Sequence, residues 1–272
     1  MPGDRILLMA DVTRLAWTFR RSRAKFHPDM LLDAFLQRIG ESGTLVVPTF
    51  NYDLKSGESF DRARTPTISG ALGQAALEHP RTRRTAHPLH SFAVAGSLQG
   101  AFLASGDPSS FGPRSPFALL REHSFRLLAI DLPLEPAFTY VHHVEEMAKV
   151  KYRTQRRFHV RYTDLDGSTT DRVFELYAKR PGYVNSFTAL EPNLRSKGVM
   201  HEVEIDGARE IQIDLAAAHA VVEEDIRENS ARSIVRFKLK WWLRDLLKPL
   251  IQGMRPSRSA LLLGKDAAYL HG

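Results

Sequence analysis

The strongest constraint on the fold is an alternation of short apolar runs with helical spacing across the first half of the chain. Arg5 to Ala10 is one such run, short and apolar enough for a buried strand. Pro28 then stands where a helix can begin, and Met30, Leu31, Ala34, Phe35 and Ile39 recur at helical intervals. Gly40 and Gly43 end that helix, and Thr44 to Val47 reads as a second strand. A loop bearing Gly, Ser and Pro runs to Ser69, which is placed to cap a helix from Gly70 to about Glu78. Phe92 to Ala95 and Leu127 to Ile130 read as further strands, each followed by helical pattern. The expected class is therefore α/β, a layered core with helices packed on a central sheet.

The periodicity changes after about Arg153. Phe158 to Tyr162 returns as Val173 to Tyr177 around Asp166-Gly167, and Val203 to Ile205 returns as Ile211 to Ile213 around Asp206-Gly207. Asp-Gly between alternating runs supplies the positive φ angles that a tight hairpin turn requires. The C-terminal half thus carries antiparallel α+β additions. The expected organisation is one domain over 1–228, with its α/β core over about 1–153 and a hairpin region over about 154–228. A basic amphipathic extension, 229–272, follows: Arg236, Lys240, Arg244 and Lys248 recur every fourth residue, with Val235, Leu239, Trp242, Leu243 and Leu246 on another face. Such a helix either lies on an anionic membrane surface or docks on its own domain with the basic face in water.

Composition narrows the function classes. The absence of Cys excludes a disulfide scaffold, a zinc–thiolate site and a cysteine nucleophile. Lys and Arg number 38 against 31 Asp and Glu, a net charge of +7 that favours anionic partners. A phosphate-bearing cofactor or an anionic membrane surface fits. Nucleic acid fits by sign alone, and no basic module with interleaved aromatics supports it. No uncharged run approaches the roughly 20 residues of a spanning helix, and MPGDRILLMADV is too short and interrupted for a signal peptide. The expected location is the cytoplasm, peripheral to the inner face of the membrane if the tail engages lipid.

Three clusters carry chemistry. Arg84 to Ser91 holds His87 and His90, Phe111 to Phe117 holds a Gly-Pro turn before a helix, and Phe138 to Glu146 holds His142 and Glu145. His87 and His90 suit a metal only in company, and no Asp/His cluster with an established metal spacing joins them. His90-Ser91 lacks the Gly-x-Ser-x-Gly elbow of a hydrolase. His142 and Glu145, at i and i+3, share a helical face, which fits either a carboxylate orienting an imidazole or a plain helix-start ion pair. Ser115 is placed as N-cap with Pro116 at the first helical position, leaving free N–H groups for an oxygen ligand or for water.

Taken in order, Gly43 to Phe50, Thr65-Pro66 through Gly73, His87-Pro88-Leu89-His90-Ser91, Phe111-Gly112, Ser115-Pro116-Phe117, Phe138-Thr139 to Glu145, and Tyr152-Arg153 resemble the aminoglycoside 3-N-acetyltransferase family. The resemblance covers roughly residues 3 to 155. It implies an N-acyltransferase that moves the acetyl group of acetyl-CoA to a primary amine of a sugar by direct transfer in a ternary complex, without a metal. It implies a His general base, His90 by first choice, with His142 and Glu145 as the supporting catalytic pair. Phe111, Gly112, Ser115 and Thr49 are the implied CoA-binding positions, and Asn51, Asp53 and His87 the implied positions toward the amino sugar.

Two departures from the family pattern bear on function. Family members carry a His a few residues before Phe-Gly, whereas Leu103 to Ser110 has none, so His90 or His142 serves, or Asp107 takes part. The family's His-Ser-Ser after the first strand is Ala10-Asp11-Val12 here, followed by Arg14, Arg20, Arg21, Arg23 and Lys25. Aminoglycosides are polycations, and a basic chain suits instead CoA phosphates or an amino sugar on a nucleotide or anionic glycan. An amino sugar of surface-glycan or secondary metabolism is therefore expected in preference to a drug. The competing expectation is a homologue that keeps the fold and binds a partner or an anionic membrane without catalysis.

Overall fold

Residues 1–244 are described by a computed structural model. The apolar runs become β1 (Arg5–Ala10), β2 (Thr44–Pro48), β3 (Ser59–Asp61), β4 (Arg83–Arg84), β5 (Phe92–Gly96) and β6 (Arg126–Ile130). Then follow β7 (Arg153–Thr163), β8 (Thr169–Lys179), β9 (Tyr183–Asn185), β10 (Met200–Ile205), β11 (Ala208–Asp214) and β12 (Val235–Phe237). Seven of these strands make one sheet in the order β10-β11-β6-β1-β2-β5-β4. β1 runs parallel to both neighbours, β2 and β6, and the outer strands pair antiparallel.

The helices are α1 (Thr13–Arg21), α2 (Pro28–Ile39), α3 (Gly70–Glu78), α4 (Gln99–Ala104), α5 (Pro116–Glu122), α6 (Leu134–Ala137), α7 (Val141–Met147), α8 (Leu190–Ser196) and α9 (Leu215–Glu228). Strand side chains point alternately to opposite faces, so each strand feeds two cores. Leu7, Val46, Phe92, Val94, Leu127 and Ala129 face one core, closed by Phe102, Phe117, Val144 and Val222 from α4, α5, α7 and α9. Leu8, Leu45, Val47, Ala93 and Ala95 face the other, beneath Leu32, Leu36 and Ile39 of α2 and Leu72 and Ala76 of α3. The small side chains of β5 on the second face let two helices lie close, while the first face carries the aromatic residues. Helices thus cover both faces of a mixed sheet, the α/β class expected from the alternation.

The expected hairpins form about the expected turns, each in a register three residues from the one its quoted strand ranges imply. Phe158 opposes Phe174 in β7–β8, and Val203 opposes Glu210 in β10–β11. At the second turn Asp206 and Gly207 take φ of 51° and 78°, the left-handed pair of a type I′ turn. The two hairpins go to different places. β11 pairs with β6 and extends the main sheet, whereas β7–β8 joins β3 in a separate three-stranded sheet around Phe60, Val160, Tyr162 and Phe174.

Local readings needed correction in three places. α2 buries Leu32, Leu36 and Ile39 and leaves Met30 exposed, so its inner stripe lies to one side of the anticipated one. α1 forms over the basic run, where no helix was anticipated. It buries none of its residues, and nothing in a core-facing pattern could announce it. The tail is not helical from 229: a turn leads into β12, which pairs with β9, and helix begins only at 239. Tertiary pairing wins there because Val235 is buried and the Phe237 ring meets Tyr183 edge-on at 5.3 Å. The remainder of the amphipathic extension lies outside the described residues.

Candidate active site

Four chain segments meet at the ring of Phe111. The segment after β2 brings Phe50 and Tyr52, the turn before β5 brings His87 and His90, the loop before α5 brings Ser110 and Phe111, and α7 brings His142 and Glu145. Phe111 lies 4.6 Å from the His90 ring and 5.4 Å from the His142 ring, so both implied catalytic imidazoles flank one phenyl group. The Phe50 and Tyr52 rings each stand 5.1 Å from His90. Asp107 holds the loop that presents Phe111 by accepting the backbone N–H groups of Ser109 and Arg114. A side chain at position 112 would strike that carboxylate, which explains the glycine.

The α7 cluster is ionic. One helical turn places His142 and Glu145 on the same buried face, and the chain then returns into β7 with Tyr152 and Arg153. Nδ1 of His142 and Nε of Arg153 each lie 2.6 Å from Oε2 of Glu145, and the Tyr152 hydroxyl donates to Oε1 at 2.8 Å. Burial opposes ionisation of Glu145, but Arg153, His142 and Tyr152 outweigh it and hold the carboxyl at about 2. Burial and then Arg153 push His142 down to about 4. The carboxylate charge is therefore balanced by Arg153, and the imidazole stays neutral. Nδ1 of His142 stands between two partners, the Glu145 carboxylate, to which it can only donate, and Nη2 of Arg153 at 2.7 Å, from which it can only accept.

The second histidine cluster is built from uncharged partners. His87 Nδ1 accepts the backbone N–H groups of Leu89 at 3.2 Å and His90 at 3.3 Å, which puts its proton on Nε2. That nitrogen faces the Glu175 carbonyl at 3.2 Å and the Ser110 hydroxyl at 3.1 Å. Ser110, accepting from His87, donates onward to Nδ1 of His90 at 2.8 Å. Donor–acceptor pairing along this chain thus assigns the proton of His90 to Nε2. Burial pushes His87 down to about 4.

A cavity of about 460 Å³ opens beside this cluster at the C-terminal ends of β1 and β2. Met9 to Thr13, Phe50, Tyr52, Ser69 to Gly73 and Pro136 line it. Ligands in open α/β sheets favour this end of parallel strands. Phe50 and Tyr52 form the wall between the cavity and His90, and the Tyr52 hydroxyl is hydrogen-bonded to Thr139 at the approach to α7.

The implied binding positions scatter. Phe111 and Gly112 are buried at the centre of the cluster. Thr49 is buried against Ser91, Oγ to Oγ at 3.0 Å, and Arg84 clamps the Thr49 carbonyl at 2.7 Å. Ser115 holds the N-cap position of α5, but its side chain makes no cap bond and Oγ is buried. Asn51 is buried and its backbone N–H bonds the Leu89 carbonyl, while Asp53 is exposed. Three participants had no signal of their own in the sequence: Ser110, which links the two imidazoles of its cluster, Tyr52, and the Arg84 clamp. Among the described residues no group of three or more His, Asp or Glu is arranged to hold a metal.

Comparison with known proteins places this geometry in context. The family model described as Aminoglycoside 3-N-acetyltransferase matches residues 21–227. Aminoglycoside N(3)-acetyltransferase IX of Micromonospora chalcea is 26% identical over 209 residues, which covers 65% of this chain and 73% of that protein. The crystal structure of aminoglycoside acetyltransferase AAC(3)-Xa is similar at a TM-score of 0.68 and 21% identity, over 84% of this chain and 88% of that one. AAC-IIIb in binary complex with CoASH is similar at a TM-score of 0.69 and 22% identity, over 88% and 92%. AAC-VIa bound to sisomicin is similar at 0.67 and 19%, over 84% and 92%. The layered sheet and the match over most of the described chain agree: this protein belongs to the aminoglycoside 3-N-acetyltransferase family, a family of N-acyltransferases.

Proposed function

We propose that the chain transfers the acetyl group of acetyl-CoA to a primary amine of an amino sugar, with His142 as general base and Glu145 as the group that orients it. The reading rests on one observation above the others, the 2.6 Å approach of His142 Nδ1 to a carboxylate whose charge Arg153 already balances. An ammonium ion has no lone pair, so the acceptor must lose a proton to react. Nε2 of a neutral His142 takes that proton as the amine nitrogen bonds to the thioester carbonyl carbon. The carbon–sulfur bond then breaks, and CoA leaves as a thiolate that is protonated in turn. The cavity beside Tyr52 suits the donor's pantetheine arm through its apolar walls, Phe50, Ile68 and Leu72 among them.

The base is thereby assigned to His142 in preference to His90, because the Ser110 network leaves His90 with its proton on Nε2. The basic composition, +7 overall, supports an amino sugar that bears or is carried on an anionic group over a polycationic drug. A second reading, a homologue that binds without catalysis, is favoured by burial: His90, His142 and Glu145 are 1%, 2% and 0% exposed. Calorimetry with acetyl-CoA, paired with thiol release over a panel of amino sugars, separates the two. Release on a matching sugar, lost about 100-fold in His142→Ala and less in Glu145→Gln, supports catalysis with this base. Binding without release supports the second reading.

A further inference from the structure

The positive charge of this chain is unevenly spread. Residues 177–185, from the end of β8 through β9, contain no Asp or Glu, and neither do residues 229–244. Together they carry Lys179, Arg180, Arg232, Arg236, Lys238, Lys240 and Arg244. Those seven cations equal the whole excess of the chain, 38 basic residues against 31 acidic. The fold brings the two segments together, because β12 pairs with β9 and the Lys238 N–H donates to the Gly182 carbonyl at 2.8 Å. Arg180, Arg232, Arg236, Lys238 and Lys240 are all exposed.

Apolar side chains stand among these cations. Twelve large hydrophobic side chains are exposed among the described residues, and four of them, Phe237, Leu239, Trp242 and Leu243, fall within seven positions. These four are 37% to 61% exposed. Gly182 shows that strand and helix bring them together: a Cβ there would meet the Phe237 ring and Cβ of Trp242 at 2.6 Å each. The backbone N–H groups of Trp241 and Trp242 bond the Lys238 carbonyl and open the helical turn from 239. Leu239, Trp242 and Leu243 then stand at i, i+3 and i+4, on one side of it. The buried Val235 and the Tyr183 ring beneath Phe237 hold the strand in place.

We propose that this face docks on an anionic membrane surface. Phe237, Leu239, Trp242 and Leu243 enter the headgroup boundary, and Arg180, Arg236, Lys238 and Lys240 meet the lipid phosphates. Soluble domains seldom leave a contiguous apolar patch open to water. An occupant must take up apolar side chains and supply negative charge in the same plane, and a bilayer with anionic headgroups does both. A second copy of this chain would set like charge against like across a two-fold axis. The chain's own residues 245–272 carry four Lys and Arg against two Asp, again the wrong sign. No helix among the described residues is long and apolar enough to cross a membrane, so the contact is peripheral. None of the docking residues belongs to the histidine clusters, so the surface is separate from the proposed chemistry.

The test is co-sedimentation of the full chain with vesicles of phosphatidylcholine, alone or with about a third phosphatidylglycerol, at low and high salt. Wild type should pellet with the anionic vesicles only and be released as salt rises. The double variants Lys238→Glu with Lys240→Glu, and Leu239→Ser with Leu243→Ser, should each weaken that partition about 10-fold or more. All four side chains are exposed, so melting temperatures should match wild type and loss of binding is not loss of fold. Wild type that stays in solution overturns the proposal, as does equal pelleting on phosphatidylcholine alone. Variants that pellet like wild type place lipid binding elsewhere on the chain and overturn it too. A dimer in light scattering that the variants dissociate, without vesicle binding, overturns it in favour of a second copy.

Discussion

The two histidine clusters on either side of Phe111 differ in what surrounds their buried rings. Burial, reinforced by Arg153, keeps His142 neutral beside a carboxylate and a guanidinium 2.6 Å from one another. Burial keeps His87 neutral too, but its partners at the turn before β5 are uncharged, two backbone N–H groups on Nδ1 among them. Charge balance ties every member to the others. A network of neutral donors loses one modest bond at a time.

The largest effect that can break this comparison comes from Arg153. Arg153→Met leaves Glu145 buried without its cation and should cost about 3–5 kcal/mol in denaturant unfolding. A cost below 1 kcal/mol would show that His142, not Arg153, carries the balancing charge. Next in size, His142→Ala should reduce turnover about 100-fold and His90→Ala less than 10-fold. The reverse ranking returns the base to His90.

Acid sharpens the contrast. His142 and His87 sit near 4 in the folded chain, below the ordinary 6.5, so the unfolded chain binds more protons between those values. Their stabilising contribution is complete above about 6.5 and is lost as pH falls toward 4. Glu145, held near 2 against an ordinary 4.5, contributes above 4.5 and is lost as pH falls toward 2. Lys179, pushed down to about 8 by burial and Arg153, lies near the same cluster and titrates on the alkaline side. Urea midpoints from pH 8 to 4 should fall with acid, and less steeply in His142→Ala; equal slopes would remove His142 from the linkage. The smallest effect is Ser110→Ala, about 1 kcal/mol for a neutral hydrogen bond, with turnover nearly unchanged if His90 is not the base. A large loss of turnover would give the neutral cluster a chemical role.

Much of the fold was legible because it depends on near neighbours. The runs at Arg5–Ala10 and Thr44–Val47 needed only their own apolar side chains, and the turn at Asp206-Gly207 needed only two residues able to take positive φ. α1 was not legible because it has no buried face, and the tail misled because its helical spacing competes with a strand partner, β9, about 50 residues earlier. In the site, His142 and Glu145 could be paired from their spacing. Thr49 and Ser115, implied positions toward CoA, have buried hydroxyls, and burial of a hydroxyl is not visible along a chain.

The sequence by itself determined the layered class, the family and the helical turn that joins His142 to Glu145, since each follows from residues a few positions apart or from ordered blocks. Only the tertiary structure decided which partners each imidazole meets. That outcome depends on Arg153, 11 positions from His142, on Ser110, 20 positions from His90, and on the Glu175 carbonyl, 88 positions from His87. A proton's place on a ring is set by what the fold brings within 3 Å of it, and distance along the chain carries no record of that.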